Sequence, residues 1–243
     1  MDATDDTGAT SSTPTDGGSP PPQAPSHSLG PDAVAILSTE HWSLLSSRSL
    51  IWSEAMNRST VFLSLLSATM VALALLADTN DFGRRTTTLA LVLLPIVLLL
   101  GVVTHVRLVQ INSEEVRTML AMNRLRNAYL EIAPDLRPYF STGFHDDERG
   151  LAASYLMSGT RRMRPWRQFL QAMATLVATV DAVLAATIVV IAVQAAGAST
   201  GLTVVAGVLV FLPVWVALVF AQRQALHPLR RIAPRFPSPP EGP

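Results

Sequence analysis

The sequence predicts an all-α polytopic membrane protein built from two transmembrane helical hairpins, four spans in all, with helical extensions on the cytosolic side. Four apolar stretches run from Thr60 to Ala77, Leu89 to Val106, Phe169 to Ala196 and Leu202 to Ala221, and Asp181 is the one Asp, Glu, Lys or Arg among them. At a rise of about 1.5 Å per residue, each reaches or nearly reaches the roughly 30 Å of a bilayer's hydrocarbon core. Composition agrees: 49% of the 243 residues are hydrophobic and 15% charged, with a mean hydropathy of +0.34, outside the usual soluble range. Around the spans, apolar residues recur at helical spacing instead of alternating.

Residues 1–31 are rich in Asp, Thr, Ser, Gly and Pro and hold too little apolar surface to offset the entropy of ordering, which predicts a disordered tail. Over 32–59, Ile36, Leu37, Leu44, Leu45, Ile51, Trp52, Ala55 and Met56 mark one face of an amphipathic helix. That face either packs on another cytosolic helix or lays Trp42 and Trp52 into the lipid headgroups. Residues 60–106 form the first hairpin, turning between Asp78 and Thr88. The region 107–168 is cytosolic and helical. Its first helix continues out of the second span without Gly or Pro until Pro134 stops it. A turn-rich stretch from Pro134 to Gly143 precedes a second helical candidate, Glu148 to Ser158. Residues 169–221 form the second hairpin. The segment 222–243 is basic and Pro-rich and is expected to be a solvated, disordered tail.

Charge sets the orientation. All 18 basic residues are Arg, and only Arg84 and Arg85 lie in the short hairpin turns. Positive residues are retained on the cytoplasmic side, so both termini and the central region are expected in the cytosol of a bacterial cell, its inner membrane crossed four times. The first apolar run starts late, after an acidic segment, so the first span itself is expected to serve for membrane targeting. Arg161, Arg162, Arg164 and Arg167, with Trp166, abut the third span and suit anionic lipid headgroups, each charge contributing about 1 kcal/mol near an anionic surface. A balance of 18 basic and 18 acidic residues gives no field for nucleic acid. Without Cys there is no disulfide, thiolate nucleophile or Cys-ligated metal.

Asp181 is the candidate intramembrane site. It lies 12 residues past Phe169, near mid-depth of the third span, where an ionised carboxylate costs roughly 2.5–3.5 kcal/mol on insertion scales. It therefore calls for a buried partner or a proton. Ala174, Ala178, Ala182 and Ala186 form an every-fourth-residue stripe beside it, a surface that lets another helix approach closely. The expected neighbours are first-span hydroxyls, Ser64 and Ser67 with Thr69, at matching depth. Two roles are open: a hydrogen-bonded link between helices, or a proton or cation site on a pathway. Pro95, Gly101, Gly207 and Pro213 are expected to kink or loosen their spans.

Outside the membrane, His145, Asp146, Asp147 and Glu148 concentrate ligand-type side chains. Consecutive residues diverge in direction, so helix capping by an Asp ahead of Glu148 competes with cation binding. No phosphate-binding loop, His-Glu-x-x-His or Gly-x-Ser-x-Gly occurs. No catalytic, cofactor-binding or metal-ligating residue is assigned. The expectation is a non-enzymatic membrane scaffold, sensor or channel-like assembly, with self-association expected and no cofactor; a proton- or cation-coupled transporter using Asp181 is the alternative, and a membrane-embedded enzyme a distant third.

The runs Ile36-Leu37-Ser38-Thr39-Glu40-His41-Trp42-Ser43-Leu44-Leu45 and Arg48-Ser49-Leu50, then Pro138-Tyr139-Phe140 and His145-Asp146-Asp147-Glu148, resemble multi-pass, four-span membrane proteins of actinobacteria. That resemblance implies the architecture and no activity. In architecture alone the chain is also similar to bacterial two-span membrane effector modules with flanking cytosolic helices, from which it departs by having two hairpins.

Overall fold

A computed structural model describes residues 31–80, 83–155, 165–227 and 233–239, the side chains of 31, 78–80 and 165–172 apart. Five α-helices follow in order: α1 (Pro31–Asn80), α2 (Arg84–Ile132), α3 (Glu148–Ser154), α4 (Pro165–Ala195) and α5 (Thr200–Leu226), with a 3-10 turn at Pro134–Tyr139 between α2 and α3. The fold is all-helical, and four helices (all but α3) are long and apolar enough to cross a membrane.

The two long helices each do two jobs. At about 1.5 Å per residue, the 50 residues of α1 reach about 75 Å, more than twice a hydrocarbon core. The apolar half spans, and the half that carries the charges projects. α2 does the same over 49 residues and runs through Pro95 without a break, as membrane helices can where neighbours cover the freed carbonyl. It ends where expected: Ala133, at φ −139° and ψ 81°, has left helical space ahead of Pro134. In the turn between α4 and α5, Gly197 takes φ +81°, open to Gly at little cost, and Ser199 caps α5 by accepting from the Leu202 amide at 3.5 Å.

α2 is the centre of the bundle. It packs on α1 along one side and on α4 along another, and α5 lies mainly on α4. Phe62, Leu94, Val97, Leu108, Ala174 and Val177 make the shared apolar core. Leu63, Val71, Leu75, Ile96, Leu99, Val204, Leu209 and Phe220 stay exposed on the outside of the bundle. A continuous apolar exterior of this kind suits lipid and not water.

Beyond the apolar stretches, α1 and α2 are joined by charge. Arg107 holds Glu54 with a two-pronged contact of 2.8 and 2.9 Å and reaches Glu114 at 3.0 Å, while Arg48 meets Glu115 at 2.8 Å. Residues 32–59 lie along α2 through these ion pairs, while Ile36, Trp42, Leu45, Trp52 and Met56 stay exposed. Residues 1–30, expected to be disordered, lie outside the described residues. So do Arg161, Arg162 and Arg164, together with the side chain of Arg167.

Among the described residues of 222–243, the expectation of a disordered tail needs correction. α5 continues to Leu226, and residues 235–239 are hydrogen-bonded to the loop that leads into α3. The prolines keep the segment out of helix and sheet, which leaves the amides of Arg235, Phe236 and Ser238 to bond a waiting acceptor.

Candidate functional site

The close approach of α4 to α2 begins with small residues. Ala174, Ala178 and Ala182 are fully buried, and Gly101 on α2 stands opposite. A Cβ added at Gly101 would collide with Asp181 Oδ1 and lie 2.9 Å from Phe62 Cε2. Gly101 therefore makes the room that Asp181 occupies, a role distinct from the loosening expected of it.

Asp181 is 0% exposed, and neither carboxylate oxygen has a hydrogen-bond partner. One turn further along α2 sits His105, also buried, its Nδ1 3.0 Å from the Ala174 carbonyl. A carbonyl only accepts, so Nδ1 carries hydrogen. His105 Nε2 has no partner. The two helices are antiparallel, so a step from Gly101 to His105 on α2 runs with the step from Asp181 back to Ala174 on α4. Two ionisable side chains thus share one helix contact, and each keeps unpaired atoms.

The other side of α4 is bonded differently. Trp215 Nε1 donates to Thr179 Oγ1 at 3.1 Å, and Gln222 Nε2 to Thr175 Oγ1 at 3.3 Å. These are the interhelical hydrogen bonds that hold polar groups in a membrane bundle. Asp181 makes none.

Ser64 and Ser67 are exposed on α1 and do not bond Asp181. Thr69 is buried and returns its hydroxyl to Leu65 O of its own helix at 2.9 Å. The first-span hydroxyls expected beside Asp181 are replaced there by α2, because α4 packs on α2 and not extensively on α1. Sequence reasoning missed His105. Its signal was its place in an otherwise apolar span, four residues after Gly101 and hence on the same helix face.

The extramembrane cluster resolves as a cap with an occupant. Asp147 is the N-cap of α3, its Oδ1 accepting the Gly150 amide at 2.8 Å, as one of the two readings required. Asp146 accepts from Arg124 Nε at 2.7 Å. Burial pushes both carboxyls up, but the amides, the Ser238 hydroxyl on Asp147 and the Arg124 guanidinium on Asp146 outweigh it and hold both below the usual carboxylate range. Among the described residues, no group of three or more His, Asp or Glu could hold a metal ion. Nearby, burial first and Glu115 second push the Tyr155 hydroxyl well above its ordinary value.

No protein-family model, curated protein or solved structure matches this chain.

Proposed function

We propose that the protein is a non-enzymatic, multi-pass inner-membrane sensor in which the α2–α4 contact responds to the protonation of Asp181, with the projecting parts of α1 and α2 in the cytosol. One observation carries the reading: Asp181 is sealed between helices with both oxygens unpaired. An unpaired carboxylate in a span costs roughly 2.5–3.5 kcal/mol on insertion scales, so a proton or a cation accompanies it while the helices stay closed. Loss of that proton drives the carboxylate toward water or a counter-ion and pushes α4 from α2. The Arg distribution supports the orientation, and the Arg161 to Arg167 cluster supports contact with anionic lipid.

A second reading is favoured by His105, whose unpaired Nε2 lies on the same contact: the two groups pass a proton along α2, making the protein a proton pathway. Spin labels at Val103→Cys and Val183→Cys, both on exposed positions, separate the readings in a chain free of native Cys. The sensor reading expects the label distance to widen as pH rises, the widening to vanish in Asp181→Asn, and no proton flux in liposomes. The pathway reading expects flux that Asp181→Asn abolishes and Asp181→Glu keeps in part. A distance independent of pH with no flux would remove both.

A further inference from the structure

Residues 235–239 read Arg-Phe-Pro-Ser-Pro, and every backbone N–H in that segment goes to one of two neighbouring carboxylates. Arg235 N donates to Asp146 Oδ2 at 2.9 Å and Phe236 N to Asp146 Oδ1 at 2.7 Å. Ser238 N donates to Asp147 Oδ2 at 2.7 Å, and its hydroxyl to Asp147 Oδ1 at 2.9 Å. Pro237 and Pro239 have no N–H to strand. Two carbonyls are read as well: Phe236 O accepts from the Asp146 amide at 3.3 Å, and Pro239 O from Arg149 Nη1 at 2.9 Å.

The receiving loop is also braced from beneath by α2. Asn123 of α2, fully buried, donates to His145 O at 2.9 Å and accepts from Arg126 at 2.8 Å. Arg124 holds Asp146 from the same helix. Gly143 and Gly150 are packed so closely that a Cβ at Gly143 would run into the Gly150 carbonyl, and one at Gly150 into His145 O. The segment, by contrast, leaves Arg235, Pro237 and Pro239 exposed. A cradle braced by its own helix and a ligand held mainly by hydrogen bonds are the ingredients of peptide recognition, with the two prolines lowering the entropy lost on binding.

We propose that the loop 143–150 is a peptide-binding site, and that the chain's own segment 235–239 is its resident, displaceable ligand. The site takes an extended peptide that offers two consecutive free amides, then a proline, then a serine. Tethering near the site gives the resident segment an effective concentration on the order of millimolar, which a free peptide must overcome.

The test uses the full chain carrying Ser238→Pro, which removes both donors to Asp147 and leaves the cradle intact. A fluorescent, end-capped peptide of residues 233–239 should bind this variant saturably in detergent, by anisotropy, and bind the native chain about tenfold or more weakly, since the tether competes. A peptide of reversed sequence should not bind, and neither should the native peptide when Asp147→Asn is added. Equal binding to the native chain and the Ser238→Pro variant, binding of the reversed peptide, or no binding to the variant would each overturn the proposal.

Discussion

Two buried aspartates in this chain are treated in opposite ways. Asp146, 3% exposed, has both oxygens occupied by a guanidinium and two amides. Asp181, 0% exposed, has neither oxygen occupied. Charge-assisted hydrogen bonds make an ionised carboxylate stable even where water is excluded. Without them, the carboxyl is tied to a proton or a counter-ion. One acid is therefore a fixed anchor and the other a group whose environment changes when its charge does.

The largest effect is expected from closing the space beside Asp181. Gly101→Leu drives a side chain into Asp181 and Phe62, and overpacking of this order costs about 3 kcal/mol. Thermal unfolding in detergent should fall sharply. Asp181→Ala in the same chain should recover a good part of it, whereas an unrelated cavity elsewhere in α4 should not. Were Gly101→Leu as stable as the native protein, the close contact between α2 and Asp181 would be wrong.

A smaller effect is expected at Asp147, the neighbour of the occupied acid. Asp147→Ala removes the α3 cap and two bonds to Ser238; loss of a cap alone costs about 1 kcal/mol. Hydrogen exchange at Gly150 and Ser238 should accelerate together.

The pH dependence has a definite sign. Both carboxyls are held below their ordinary value when the segment is seated, so seating is fully stabilised above the usual carboxylate pKa of about 4 and lost as pH falls through the depressed values. Among the described residues, Arg124 from α2, Glu148 and Arg149 from α3, Arg235 from the segment and His145 from the loop are charged or titratable groups around Asp146 and Asp147. Exchange at Phe236, corrected for its own pH dependence, should show less protection at pH 3 than at pH 7. A protection factor that rose on acidification would contradict the geometry at Asp146.

The smallest effect is expected at a surface pair. Arg58→Ala breaks an exposed contact with Glu54 one turn away, which typically contributes about 0.3–0.5 kcal/mol. Arg107 keeps Glu54 occupied in its absence.

What was legible in the sequence is what local chemistry decides. Four spans, the unbroken run of α2 out of the second span, its stop ahead of Pro134 and the Asp147 cap all follow from residues within a few positions of one another. The burial of the Ala174, Ala178 and Ala182 stripe, and of Asp181 with it, was legible too, because a single helix face shows in its own period. Which helix would meet that face was not. Matching Ser67 to Asp181 by depth cannot tell α1 from α2, since both offer small residues at that level, and the choice of neighbour is made by the packing of all four helices. The seating of Phe236 on Asp146 was equally hidden, because the partners are 90 residues apart and the segment's composition spoke only for its low apolar content.

α2 passes both aspartates. Gly101 beside Asp181 and Asn123 beneath the loop of Asp146 lie on one uninterrupted helix, 22 residues and about 33 Å apart. A rod of this kind has no joint along that length, and Pro95, the proline inside α2, falls outside the interval. Tilting or rolling α2 at the level of Gly101 therefore re-aims Asn123 and Arg124 by the same rotation, and the His145 carbonyl and Asp146 carboxylate they hold move with it. Distance between the two acids along this shaft is no insulation, and the bundle and the loop share a single axle.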